Sequence, residues 1–375
     1  MPPKKSVQLS GVVVAETAIS SIEPEQGVLM YRGYDIADLA EHSTYEETAY
    51  LLLGGDLPGS GELASFREEL AAARELPRAV QALVDGNARD ASPMEMLRTA
   101  VSLLSFADPA EASIEREEER RKAVQVIAQL PTIVARHHRL RQGLDPVRPD
   151  PSLSHAENFL TMLRGGSPSE QEVRAFEVAM ILHAEHELNA STFAARVVAG
   201  TLSDLHSAVV AAICALKGRI HGGANEMAMI FFEEIGDPAR ADERVRERLE
   251  RKQTVYGFGH PLYVATDPRA KILKRLSHSF SGDGGEPNWY AITEAVERAM
   301  LEQKKGLWPN VDLYSGSLYR YLGVPNDLFT PLFECSRIAG QAAHVLEQHT
   351  NNKIIRPGSA YVGPEPRRYP VASPS

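Results

Sequence analysis

Residues 255–269 read VYGFGHPLYVATDPR, and the way the chain must turn there sets both the fold class and the chemistry to look for. Gly257 and Gly259 flank an aromatic residue and deliver His260, with Pro261 directly behind it. No α-helix runs through such a segment, because glycine leaves the helical well easily and proline has no amide hydrogen to give. His260 is therefore expected on a turn. Asp267-Pro268-Arg269 reads as the cap and first turn of the next helix, which would hold Arg269 on a fixed element facing the same region. An imidazole and a guanidinium held this way can grip a small acid. Taken alone, the stretch also fits a glycine-rich connector with a surface histidine, and the rest of the chain has to decide.

Outside this stretch almost everything has helical texture. Capping logic recurs at Thr44/Glu47, closed by Gly54-Gly55, at Ser92-Pro93-Met94-Glu95 and at Ser167-Pro168-Ser169-Glu170. The run EREEERR at 115–121 reads as a solvated helix face feeding an apolar helix that Pro131 would kink. Residues 176–216 are apolar and alanine-rich, as closely packed helices at a domain centre or subunit interface would be, and 240–252 reads as an exposed amphipathic helix. Strand texture is confined to the start, where VVVAET and VLMYRG, separated by the polar SIEPEQG, predict a small hairpin. The expected class is all-α and two-lobed: residues 1–220 and 325–375 form a large helical domain, and 221–324 a small inserted one. Residues 1–10 read as a loose tail, SFSGDGGEPN as a flexible connection and the end of the chain as a proline-rich tail.

Composition narrows the function. The chain has 375 residues and a formal net charge of −10, which argues against general nucleic-acid binding. No apolar run approaches the ~20 residues of a membrane span. The two cysteines, Cys214 and Cys335, fall in apolar helical settings, so a disulfide framework is not expected and a reducing compartment fits. MPPKKSVQLS is basic but lacks the apolar core of a secretion signal, so a cytoplasmic enzyme is the default.

Three further stretches carry chemistry. In HAEHELNAS, His183 and His186 stand three residues apart with Glu185 between them, but the zincin pattern needs two residues between the His-Glu pair and the second histidine. Core or substrate-facing histidines fit better than metal ligands, and no metal is expected. In KGRIHGGANE, His221 directly precedes the glycines that open a helix; the positive end of that helix disfavours a proton, making His221 a neutral hydrogen-bond donor. In WPNVDLYSG, Asp312 is expected in a turn after Pro309. Two other classes stay open on these residues: a metal hydrolase built on His183, His186 and Glu185, and a non-catalytic helical dimer that only binds a small acid.

In order along the chain, HAEHELNAS, KGRIHGGAN, GFGH..Y...DPR, WPNVDLYSG, FTPLF..SRIAG and NKIIRP..AYVGP resemble the citrate synthase family, and YRGYDIADLA is similar to the family's opening. The resemblance spans nearly the whole chain. It implies condensation of an acyl-CoA with oxaloacetate, followed by thioester hydrolysis, in a homodimer or higher homo-oligomer and without a cofactor. It further implies that Asp312 is the base, that His221 donates to the thioester oxygen and that His260 polarises the ketone. His186, Arg269, Arg337 and Arg356 would bind the dianion beside Phe333, and Gly257, Gly259, Asn310 and Lys305 would serve coenzyme A. A thioester α-hydrogen is far less acidic than a carboxylic acid of reference pKa ~3.9, so the base can act only if the enolate is stabilised.

Within the family, many citrate synthases resemble GFGHRVYK, where this chain has Pro261 and Val264. That departure resembles bacterial 2-methylcitrate synthases, as does NKIIRPGSAYVGPE, whereas HAEHELNAS and PNVDLYSG resemble the citrate branch. The balance favours a 2-methylcitrate synthase, with a citrate synthase of the tricarboxylic acid cycle as the alternative. Val264 leaves one family contact to coenzyme A without its basic residue, and Lys305 is the candidate substitute. Glu334 and Cys335 beside Phe333 have no role in this reading.

Overall fold

The computed structural model describes residue 9 and residues 11–282 and 288–369. The expected loose tail lies largely outside the described residues, as do the middle of SFSGDGGEPN and the last six residues. Among the described residues there are sixteen α-helices and one three-stranded sheet. The first half holds α1 (Ile36–His42), α2 (Tyr45–Gly54), α3 (Ser60–Ala73), α4 (Arg78–Asn87), α5 (Pro93–Leu104), α6 (Arg116–Arg141), α7 (His155–Arg164) and α8 (Glu170–His183). The second holds α9 (Ala190–Ala199), α10 (Leu205–Leu216), α11 (Ala224–Ile235), α12 (Ala241–Glu250), α13 (Pro268–Ser279), α14 (Trp289–Gln303), α15 (Val311–Tyr321) and α16 (Phe329–Thr350).

The hairpin forms later in the chain than its apolar residues suggest. Strands β1 (Ser20–Glu23), β2 (Val28–Tyr31) and β3 (Tyr34–Asp35) run antiparallel in that order, with Ser20 opposite Tyr31 and Glu23 opposite Val28. SIEPEQG, expected as the connection, supplies most of the first strand and the turn. Gly27 there takes φ 64°, a conformation glycine adopts without a Cβ clash. VVVAET stays outside the sheet, with Val12 and Val13 exposed. The observed register carries the Ser20 hydroxyl to the buried carboxylate of Glu185, to which it donates at 2.9 Å.

Two other expectations change on contact with the tertiary structure. The charge run is not a purely solvated face: Arg120 and Arg121 pair with Glu69, Asp108 and Glu118, but Glu119 is buried against His349 at 2.7 Å. Helix α6 runs on through Pro131. Cys214, although helical, is exposed, whereas Cys335 is buried.

Helix α16 is the axis of the molecule. Every residue from Phe329 to Leu346 is buried, as a helix surrounded by others must be, and α2, α6, α8, α9 and α10 pack around it. Its sequence is not purely apolar, for Glu334, Arg337, Gln341 and His344 are buried with it. Buried polar groups must find partners or be strained, so the site is to be sought beside them. On the other side of the cleft, α13 and α11 pack on α15, and α14 packs on both α12 and α15.

Candidate active site

The loop of residues 257–260 and the turn before α15 form one unit. Gly259 N–H donates to the Trp308 carbonyl (2.8 Å), Asn310 N–H to the Gly257 carbonyl (3.0 Å) and Asp267 N–H to the Pro309 carbonyl (3.1 Å). Gly257 and Gly259 take φ 91° and 82°, and a Cβ on Gly257 would lie 2.9 Å from Leu313 Cδ1. Glycine is required here by conformation and by close approach. Asn310 Nδ2 donates to the Gly259 carbonyl (2.9 Å), while its Oδ1 accepts from Asp312 N–H (3.0 Å). Both ends of the side chain expected to serve coenzyme A are thus engaged in holding the loop and capping α15.

Asp312, expected in a turn, lies in the first turn of α15. Its side chain is buried and its Oδ1 has no hydrogen-bond partner. Burial pushes its pKa up to about 7, against Arg269 and Arg337, which pull it down. A carboxylate with a bare oxygen and a pKa near neutrality is suited to taking a proton.

The histidine partners fix their tautomers. His221 Nε2 lies 3.2 Å from Ser191 N–H and 3.0 Å from Ser191 Oγ. A backbone amide can only donate, so Nε2 is the bare nitrogen and the proton sits on Nδ1. Burial, and then Arg337, lowers this pKa to about 4; the neutral state read from the helix end is produced chiefly by desolvation. His260 Nδ1 accepts from Leu262 N–H (3.1 Å) and Tyr263 N–H (3.3 Å), which leaves the proton on Nε2. Its pKa is also lowered to about 4, by burial and then Arg269. The His186 and His260 rings meet edge to face at 4.9 Å, and His186 Nε2 lies 3.2 Å from the Tyr263 hydroxyl.

Of the arginines expected to bind the anion, two are buried here. Arg337 donates through Nε to the His183 carbonyl (2.5 Å), and its guanidinium carbon stands 4.7 Å from the Phe333 ring. Its terminal nitrogens have no hydrogen-bond partner among the described residues. Arg269 is on the first turn of α13, as the sequence predicts, but it is already forked onto Asp267, with Nε–Oδ1 at 3.0 Å and Nη2–Oδ2 at 2.6 Å. Phe333 faces the histidines, 4.8 Å from His183 and 6.5 Å from His221 between ring centres. Arg356 and Lys305 are exposed, the first in the segment after α16 and the second after α14, and neither joins this cluster within the chain.

The donor set does not match the hydrolase alternative. His183 gives Nδ1 to the Ala179 carbonyl (2.7 Å), while Glu185 is held by Ser20 (2.9 Å) and His344 (3.1 Å). Among the described residues, the group whose ligand atoms converge within 4.8 Å is His186, His260 and Asp267, and Asp267 is committed to Arg269. The sequence gives no role to Tyr263 or Ser191 and gives Asp267 only that of a helix cap; the three orient His186, His221 and Arg269. All three stand inside the quoted motifs, and their partners lie up to 77 residues away.

The chain as a whole is similar to known proteins. Residues 8–358 match the family model described as citrate synthase, C-terminal domain. The chain is 45% identical over 362 residues to citrate synthase 2 of Bacillus subtilis, covering 96% of each. It is 42% identical over 369 residues to 2-methylcitrate synthase of Shewanella oneidensis, covering 97% of each. The ternary complex of carboxymethyl coenzyme A and oxaloacetate with citrate synthase from Thermoplasma acidophilum superposes with a TM-score of 0.93 at 33% identity, covering 98% of each chain. With such matches running nearly end to end, the chain belongs to the citrate synthase family of acyltransferases, which condense an acyl-CoA with oxaloacetate and need no cofactor.

Proposed function

We propose that the enzyme condenses propionyl-CoA, and also acetyl-CoA, with oxaloacetate, and that Asp312, His221 and His260 carry the reaction. The observation behind this reading is the matching of proton states around one cleft: a bare carboxylate oxygen on Asp312, N–H on His221 Nδ1 and N–H on His260 Nε2. Asp312 takes the thioester α-proton while His221 donates to the thioester oxygen, so that negative charge develops against a fixed donor. The enolate carbon attacks the ketone carbon of oxaloacetate, and His260 stabilises the alkoxide that forms. Arg337, with its open fork, and the remaining edge of Arg269 hold the carboxylates. Water then cleaves the thioester, releasing coenzyme A and making the sequence one-way.

The preference for propionyl-CoA is supported by Pro261 and Val264; Leu262 and Val264 are exposed apolar side chains beside His260. One methylene is worth only ~1–3 kcal/mol in an apolar pocket. Both substrates should therefore turn over, with propionyl-CoA at least comparable in kcat/KM. Thiol release from acetyl-, propionyl- and butyryl-CoA with oxaloacetate measures this, and a hundredfold preference for acetyl-CoA would sink the branch assignment. The same reading takes 221–324 as a lobe inserted into the rest, a homodimer as the working unit, Arg356 as a residue that reaches the partner's cleft, and a cytoplasmic setting.

A further inference from the structure

Glu334 is an acid with no counter-ion contact on the most buried helix of the molecule. Its Oε2 accepts from Gln341 Nε2 at 3.2 Å, two turns further along α16. Gln341 Nε2 also donates to Ser191 Oγ at 3.4 Å, and Ser191 is the residue that touches His221 Nε2 with both its hydroxyl and its amide. With Gln341 donating into the hydroxyl, the hydroxyl proton is left to be given away, to His221 or to Asn189 Oδ1 at 2.7 Å. A continuous path of polar contacts therefore runs from Glu334 to the back of the His221 ring.

Two atoms on this path are orphans: Glu334 Oε1 and Gln341 Oε1 are buried without partners. A proton on Glu334 Oε1 turns one of these orphan acceptors into a donor. Burial does push Glu334 up to about 8, so the group keeps its proton at neutral pH. A neutral acid beside a carboxamide costs far less in a core than a carboxylate would, which accounts for an acid where the neighbouring positions are Phe333 and Cys335.

We propose that Glu334 is a positioning residue for the condensation: through Gln341 it holds the Ser191 side chain, and so keeps the His221 ring oriented with its N–H toward the substrate. This rests on the role given to His221 above. Glu334 touches no substrate; it acts through two residues.

The test measures kcat and KM in Glu334→Gln, Glu334→Met and Gln341→Leu, each also placed in a His221→Ala background. Glu334→Gln keeps a donor and an acceptor of the same shape and should retain kcat within about threefold. Glu334→Met and Gln341→Leu should each lower kcat by roughly tenfold, the scale on which supporting hydrogen bonds usually act, with KM for oxaloacetate within about twofold. On top of His221→Ala, neither should lower kcat further. Wild-type kcat in folded Glu334→Met or Gln341→Leu, an undiminished loss in the His221→Ala background, or loss of folded protein in both apolar variants would each overturn the assignment. If His221→Ala itself turns over normally, the mechanism falls first and this inference with it, an outcome distinct from a silent Glu334.

Discussion

The two walls of the cleft hold their functional groups by different means. On the α15 wall, His260 is oriented by the amides of Leu262 and Tyr263, Arg269 by Asp267 two residues earlier and Asp312 by the cap residue Asn310. On the α16 wall, Arg337 is oriented by the carbonyl of His183, at a separation of 154, and Ser191 reaches across to His221, which precedes α11, thirty residues away. The first wall is assembled locally and its arginine is already neutralised. The second is assembled by packing and presents an arginine whose fork is open. Prearrangement of a site can thus be written into a short loop or into a core, and the two respond differently to mutation.

Asp312→Asn is the severest way to break the local wall chemically, since a bare acceptor is replaced by an amide of the same shape. We expect kcat to fall by roughly 10²–10⁴ with the fold and oxaloacetate affinity retained, the usual range for losing a general base; turnover assays with calorimetric titration of oxaloacetate check it. Near-normal turnover would remove Asp312 from the chemistry.

The arginines separate the walls most directly. Arg269→Ala leaves Asp267 fully buried without its partner, so denaturant unfolding should show a loss of about 3–5 kcal/mol, the range for breaking a buried ion pair from one side. Arg337→Ala orphans no carboxylate of its own, as Glu185 keeps Ser20 and His344. It should mainly raise KM for oxaloacetate, with a smaller loss of stability. Equal destabilisation by the two would erase the distinction drawn here.

Asp312 also makes the comparison depend on pH. Because it must be ionised to act, kcat/KM should rise about tenfold per unit below its pKa of about 7 and level off above it. Stability moves the other way for this group. Its folded pKa is raised from 3.8, so its stabilising contribution is complete below 3.8 and is lost as pH rises through about 7. Asp312→Asn should remove that component from the pH dependence of unfolding, which denaturant melts from pH 4 to 8 measure.

The smallest signal is the one that extends the comparison across subunits. If Arg356 completes the partner's cleft, Asp312→Asn and Arg356→Ala chains refolded together should regain up to about a quarter of wild-type activity. Random pairing makes half of the dimers mixed, and each mixed dimer has one intact site. Verified subunit exchange without recovery would place Arg356 in its own chain or outside the site.

How much of this was legible in the sequence follows the same division. The loop carrying His260 and the cap at Asp267 could be read directly, because glycine, proline and capping residues act on their immediate neighbours. The tautomers of His221 and His260 could not, because each depends on which amide approaches the ring. The partners of Asn310 are hidden for a related reason: its side chain donates to a carbonyl 51 residues away. The hairpin was set too early because apolar residues at 12–14 were taken as strand, whereas pairing follows the turn at Gly27 and the anchor of Ser20 on Glu185. The burial of Glu119 is invisible to patterning, since a charge run says nothing of which member turns inward, and Glu334 stands out in its apolar helix without the sequence showing its partner.

The stitching of residues 257–260 to 308–310 has a mechanical corollary. His260 and Asp312 ride on one hydrogen-bonded frame, so their mutual spacing is set within that frame. Loosening a stitch, as Gly257→Ala would by pressing a methyl on Leu313, would let the two groups shift relative to one another.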